Sequence, residues 1–237
     1  MNLRKISSGK LHLTTFLLML IITFNLAKAQ TRIGVKAGLN FSNVMAKDER
    51  SNKQETQIAT GFLVGLTADI PVSGDFFIQP GIQYVEKGFK QKKGGYYGLA
   101  NNFKVNVSYV EVPVNILYKP QLGNGKLLLG AGPYFGYGTG GTWKSDNVIL
   151  MGDIMTDSKG EVIFKNDVMD GEFGKYMYGK PFDYGANFLA GYEFLEKLAV
   201  QFNAQLGLAN LQPKVDGVKR EGSLKNVGFG ISVGYRF

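Results

Sequence analysis

The final segment of the chain, NVGFGISVGYRF (226–237), decides the fold class. Hydrophobic side chains occupy every second position, and small, polar or charged residues stand between them. Because successive side chains point to opposite faces of a β-strand, this pattern predicts a strand with one apolar face and one glycine-rich face. The apolar face would carry Val227, Phe229, Ile231, Val233, Tyr235 and Phe237.

The same alternation recurs in seven earlier segments, whereas no segment after residue 29 keeps the apolar spacing of an amphipathic helix. Each predicted strand is close to the roughly 9–11 residues that a tilted membrane strand requires, and their number is even. The sequence therefore predicts an all-β protein, an eight-stranded antiparallel up-and-down transmembrane β-barrel. The predicted strands are 33–41, 61–70, 76–84, 110–119, 127–138, 182–194, 198–208 and 226–237.

Alternation alone leaves the orientation of the faces open, because a soluble barrel would turn its apolar face inward around a ligand. The second face consists mainly of Gly, Ser, Asn and Gln, which suit the crowded interior of a small barrel. The apolar face has no charged residue in its central part, as contact with lipid requires. We therefore expect the apolar face to meet lipid between two aromatic girdles. Their members are Phe76, Tyr118, Phe194, Tyr235 and Phe237 on one side, and Tyr84, Tyr137, Phe182 and Tyr184 on the other.

The connections between the predicted strands differ in length on the two sides. Short turns at 73–74, 123–124 and 196 mark the periplasmic side, and long loops mark the other. The long links are 43–58, 88–104, 139–181 and 211–223. Three prolines, Pro80, Pro113 and Pro133, lie inside predicted strands, where each removes a hydrogen-bond donor, so we expect local bulges there.

Residues 1–29 have the pattern of a secretory signal peptide, which leaves 30–237 as the barrel domain. Arg4, Lys5 and Lys10 precede an apolar run at 13–26 that is shorter than the ~20 residues of a membrane-spanning helix. Removal of this segment lowers the formal charge from +8 to +4. The remaining basic residues are scattered among carboxylates, which argues against nucleic acid as a partner.

The residue inventory argues against an enzyme. There is no cysteine, and the single histidine, His12, lies in the predicted signal peptide. A histidine general base, a cysteine nucleophile and a His or Cys metal site are therefore excluded, and no cofactor is expected, although a carboxylate-only mechanism stays open. The loop 139–181 contains seven acidic residues among lysines, a pattern typical of a solvated loop rather than a calcium site. A hairpin turning at 158–160 is expected within it.

A set of charged residues shares the glycine-rich face and forms a predicted lumen charge cluster. Two hypotheses follow: the charges act as a gate, or they pair with one another and fill the interior. Pairing is favoured because isolated charges in a narrow lumen are costly and because eight strands leave room for little but side chains. The cluster comprises Lys36, Asp69, Glu111, Glu193 and Arg236.

Four segments together resemble the PorT-like outer-membrane β-barrel family: YVEVPVNILYKP (109–120), LLLGAGPYFGYG (127–138), FDYGANFLAGYEF (182–194) and NVGFGISVGYRF (226–237). The resemblance implies a closed barrel and, through the family's namesake, a role in protein secretion across the outer membrane. The terminal Phe237 and the nearby Tyr235 also resemble the C-terminal signal that the barrel-assembly machinery recognises.

These observations predict an outer-membrane location and a structural or interaction role in the cell envelope, exerted through the long loops. Two alternatives remain, a component of an outer-membrane secretion pathway and a narrow channel. The expected partners are outer-membrane lipid, the barrel-assembly machinery and envelope or secretion proteins.

Overall fold

The computed structural model describes residues 31–93, 101–147, 150–151, 154–155, 158–169 and 176–237. The predicted signal peptide, 1–29, lies outside the described residues. Among those that are described, no helix is long and apolar enough to cross a membrane.

Eight long strands form the structure, and we number them in chain order. They are β1 (Arg32–Lys47), β2 (Gln57–Ser73), β3 (Phe76–Lys93), β4 (Asn101–Tyr118), β5 (Gly125–Lys144), β6 (Phe182–Phe194), β7 (Leu198–Gly207) and β8 (Ser223–Arg236).

The eight strands close into a ring in which each strand pairs with its neighbours in sequence. All of these pairings are antiparallel, and β8 pairs with β1 to complete the ring, for example at Phe229 opposite Phe41. Two glycines show how closely neighbouring strands approach: a Cβ on Gly38 would overlap the carbonyl oxygen of Ile231, and one on Gly132 would overlap that of Val114. The predicted eight-stranded up-and-down barrel is confirmed.

The orientation of the two faces is also as predicted. Phe202, Phe229 and Ile231 are exposed on the outer surface, whereas Gln201 and Gly230 are buried inside the ring. These apolar side chains form a continuous band on the outer surface, and a soluble protein exposes no apolar band of this extent. The band is therefore surrounded by lipid.

Most strands extend further on the long-loop side than the sequence pattern indicated. β3 continues to Lys93, β4 begins at Asn101 and β5 continues to Lys144. In these extensions the pattern is reversed: apolar side chains point into the barrel, and the outer positions become polar. The buried cluster in this outer part, here called the upper core, consists of Val44, Ala46, Phe89, Phe103, Val105, Trp143 and Val162.

The three prolines do not create the expected bulges. The register across Pro80 is the same before and after it, because Thr67 faces Gly81 and Ile70 faces Ile78. The ladders through Pro113 and Pro133 also keep their register. The register shifts lie elsewhere, between Ile58 and Leu63, between Pro71 and Ser73 at the end of β2, and next to Ser108. Pro113 points into the lumen and Pro133 outward, so a proline fits on either face of this ladder.

The loop after β5 adds strands to the barrel wall. Lys159–Phe164 pairs antiparallel with the end of β5. Tyr176–Gly179 in turn pairs in parallel with Lys159–Phe164. The expected hairpin turn at 158–160 is therefore wrong, since a strand begins at Lys159. β6 starts only at Phe182, opposite Tyr137, so it does not reach the part of β5 beyond Tyr137. The added strands form the barrel wall beside that part of β5.

Candidate functional site

All five residues of the predicted lumen charge cluster lie inside the barrel. Asp69, Glu111 and Glu193 are fully buried, Arg236 is 1% exposed and Lys36 is 7% exposed. Their strands place them at different heights, so the structure divides them into two groups and leaves Lys36 apart from both.

The first group lies near the short turns and is centred on Lys119. Its ammonium group lies 3.0 Å from Asp69 Oδ2 and 2.7 Å from Glu193 Oε2. Arg236 Nε lies 3.1 Å from the same oxygen of Asp69, and its Nη1 donates to the hydroxyl of Thr67 at 2.8 Å. Two buried cations and two buried carboxylates thus form one network, which we call the lower network.

The second group lies higher and is centred on Lys87. Its Nζ is 2.5 Å from Glu111 Oε1 and 3.2 Å from Asp183 Oδ2. Neutral side chains also donate to both carboxylates: Gln83 and Gln205 donate to Glu111, and Tyr134 and Asn226 donate to Asp183. This middle network has one cation and two carboxylates.

Lys36 restores the charge balance between the cations and carboxylates of these networks. It forms no ion pair among the described residues, yet it lies in the same low-dielectric interior as the middle network, where the excess negative charge of Glu111 and Asp183 attracts it. With Lys36 included, the four buried cations of these groups match the four buried carboxylates. The mutual attraction of such a set offsets part of the cost of burying its charges.

Sequence reasoning missed three members of these networks. Lys119 and Asp183 occupy lumen-facing positions of the predicted strands. Those positions were the signal that could have added the two residues to the predicted lumen charge cluster. Lys87 lay beyond the predicted end of its strand at Tyr84, so the sequence pattern offered no reason to place it inside.

The interior is occupied along its height. Beside the lower network, Leu117, Leu128, Leu189 and Ala199 form a buried apolar cluster. Between the lower and middle networks, the cavity next to Lys36 has a volume of about 20 Å³, which accommodates about one water molecule. The upper core closes the outer end, and the loop residue Phe164 packs on Tyr109, with ring centroids 5.4 Å apart.

The outer surface carries the predicted aromatic residues at both ends of the apolar band. Phe76 stacks on Tyr118 at the short-turn end, and Tyr137 meets Phe182 edge to face at the other. At the short-turn rim Arg32 donates to the carboxylate of Glu196 at 3.0 Å, and this hydrogen bond lowers the pKa of Glu196.

No group of three or more potential metal ligands occurs among the residues that the structure describes. The buried carboxylates of the two networks are instead occupied by lysine and arginine. Among the described residues, the geometry of the two networks thus pairs charge with charge.

The chain matches the family model described as outer membrane protein beta-barrel domain over residues 27–212. Ail, the attachment invasion locus protein of Yersinia pestis, is 11% identical, with 88% of this chain and 99% of that chain covered and a TM-score of 0.42. A major outer membrane protein from Thermus thermophilus is 11% identical, with coverages of 87% and 99% and a TM-score of 0.45. OprG from Pseudomonas aeruginosa is 10% identical, with coverages of 87% and 95% and a TM-score of 0.45. No curated protein matches the chain significantly.

The lower network predicts a large effect of Lys119→Gln. The substitution leaves Asp69 and Glu193 with Arg236 as their main cation, and breaking a buried network by removing one partner costs about 3–5 kcal/mol. We expect a corresponding loss of unfolding free energy, measured by urea titration of the barrel in lipid vesicles with heat-shift gel mobility as the readout.

The matched control is Lys126→Gln, which removes a cation from its 4.0 Å pair with the exposed carboxylate of Glu196. Exposed pairs contribute little, so the unfolding midpoint should stay close to that of the wild type. Equal losses in the two variants would show that burial does not strengthen the lower network.

Proposed function

The chain belongs to the outer membrane protein β-barrel domain family and lies in the outer membrane, and we propose that it is a closed anchor that presents its outer loop region to a protein partner in the cell envelope. The observation that carries the proposal is the filled interior. Ion-paired side chains and an apolar core occupy the space that a pore would need. We therefore assign the function to the outer loop region. The proposal includes no catalysis, because residues 30–237 contain neither histidine nor cysteine.

The loop region has the stiffness that a binding surface needs. Besides the strands added next to β5, Asp167–Val168 pairs in parallel with Lys214–Val215, which joins the loop after β5 to the loop after β7. Lys180 N donates to Leu211 O, and Leu211 N donates to Leu224 O on β8, at 2.8 Å each. Loops tied together in this way lose little conformational entropy on binding, and that favours a specific partner.

Site-specific photo-crosslinking in cells tests the proposed interaction. A photo-crosslinking amino acid in place of Val218, which is 67% exposed at a loop, should give a light-dependent adduct of defined mass. The control is the same substitution at Ile116, which is 66% exposed on the apolar band and should contact only lipid. An interaction role would be contradicted if no light-dependent protein adduct formed at Val218 or at its loop neighbours Lys219 and Arg220.

A channel function is the alternative that the interior disfavours. We expect the refolded protein to give no unitary current steps in planar bilayers, because the enclosed volume beside Lys36 holds about one water molecule. A general diffusion porin inserted in the same way is the positive control for the recording. Reproducible current steps that depend on the protein would refute the closed anchor.

A secretion-pathway role is a second proposal, supported by the resemblance of the four segments to the PorT-like family. Leu195 is 78% exposed at a periplasmic turn, where a protein on its way to the outer membrane would be met. The crosslinking experiment separates the two proposals: an adduct with an exported protein at Leu195 supports secretion, and an adduct confined to the outer loops supports the anchor.

The C-terminal residues are proposed as the signal for the barrel-assembly machinery. The side chain of Phe237 is 73% exposed and meets Tyr235 with ring centroids 5.2 Å apart, while its backbone N–H donates to Ile33 O at 2.8 Å. An aromatic side chain that contributes so little to packing is available for recognition.

Deletion of Phe237 should reduce the amount of folded barrel in the outer membrane, measured by heat-shift gels of membrane fractions. Phe194→Ala is the control, because Phe194 is also an exposed aromatic residue at the same rim but is not the C-terminal residue. If both variants assemble at the wild-type level, Phe237 is not an assembly signal.

A further inference from the structure

Four lysines on adjacent strands lie directly opposite one another above the outer aromatic girdle. Lys90 on β3 faces Lys104 on β4, Lys104 faces Lys144 on β5, and Lys144 faces Lys159 on the added strand. We call this set the lysine row. With neighbouring strands about 4.8 Å apart, the row extends over roughly 14 Å of the barrel wall.

The lysine row points away from the barrel interior. The preceding register level, Phe89 opposite Val105 opposite Trp143, is buried in the upper core, and adjacent levels of a sheet point to opposite faces. Lys90, Lys144 and Lys159 are accordingly exposed, and Lys104 is half-buried.

Such a row is electrostatically unfavourable without an anion. Like charges directly opposite each other destabilise a sheet, and none of the four lysines has an ion-pair partner among the described residues. Lys92, two residues beyond Lys90 on the same face, adds to the positive charge. Two acidic residues flank the row, Glu161 and Asp146, and the latter accepts a hydrogen bond from Asn102. The patch therefore keeps a surplus of positive charge.

The height of the row determines which anions it can meet. Lys90 follows Tyr84 of the aromatic girdle by six residues on β3, which is about 20 Å along the strand and roughly 15 Å above the girdle at a tilt near 40°. The polar layer of an ordinary bilayer is only about 5–7 Å thick on each side. Phospholipid phosphates therefore lie below the row, and only a lipid with a tall head group brings negative charge to it.

The wall between the girdle and the row suits such a head group. Its outer positions include Ser108, Asn106 and Thr142, whose hydroxyl and amide groups can exchange hydrogen bonds with a saccharide. Two acidic residues lie at these levels among the described residues, Glu86 opposite Ser108 and Glu161 opposite Thr142.

We propose that the lysine row binds the phosphate groups of an outer-leaflet glycolipid whose saccharide head group rises along β3, β4 and β5. Each phosphate lies between neighbouring ammonium groups and relieves their repulsion, while the acyl chains lie against the apolar band. The proposal rests on the outer-membrane location and is independent of a protein partner.

A binding measurement with the purified barrel in zwitterionic detergent tests the proposal. The probes are purified bacterial lipopolysaccharide with a short phosphorylated saccharide, the same lipid after enzymatic dephosphorylation, phosphatidylglycerol and inorganic phosphate. We expect the phosphorylated glycolipid to bind at least tenfold more tightly than each of the other three, with affinity falling as salt increases.

The variant K90Q/K104Q/K144Q/K159Q should weaken glycolipid binding at least tenfold. The matched control, K53Q/K197Q/K214Q/K219Q, removes the same charge from exposed lysines outside the row and should stay within twofold of the wild type. Heat-shift mobility verifies that both variants are folded, and single K90Q and K144Q variants replace the quadruple variant if it fails to fold.

Three results would overturn the proposal. They are wild-type affinity in the lysine-row variants, equal losses in row and control variants, and equally tight binding of the dephosphorylated lipid, phosphatidylglycerol or inorganic phosphate.

Discussion

The structure depends on the requirement that backbone N–H and C=O groups inside hydrocarbon be paired within the protein. The eight strands meet this requirement by closing β8 onto β1, which leaves no unpaired sheet edge in the band that faces lipid. Closure with only eight strands makes the ring narrow, and a narrow ring needs glycines such as Gly38 and Gly132 where side chains would meet neighbouring backbone. The glycine-rich inner face is thus a consequence of backbone pairing.

The narrow interior in turn explains the buried charges. Lys119 and Lys87 each bridge two carboxylates from different strands, so the two networks tie distant parts of the ring together. Such networks are not in themselves a strong source of stability, because desolvation offsets much of the attraction. What they provide is a single register of the strands, since a shift of one residue would place a charge in lipid.

The sequence predicted the membrane-embedded half of the molecule well, because one rule applies throughout it: apolar outside, polar inside. The rule placed Phe229 and Ile231 outside and Glu111 and Arg236 inside, as observed. Beyond the membrane the barrel is surrounded by water, so the rule is reversed there: apolar side chains point inward and polar ones outward. Phe89 and Phe103 turn inward and Lys90 and Lys104 outward, which is why the strand ends and Lys87 escaped prediction. The partnership between Lys119 and its two carboxylates was hidden for another reason, because it depends on the heights of three strands that the pattern alone leaves undefined.

The single tryptophan of the chain lies in the upper core, where Trp143 is 4% exposed and contacts Phe103 at a centroid distance of 5.9 Å. Its emission therefore comes from the half of the barrel that protrudes from the bilayer, whereas gel mobility reflects the ring as a whole. The protein thus contains an intrinsic fluorophore that follows the folding of its protruding half separately from membrane insertion.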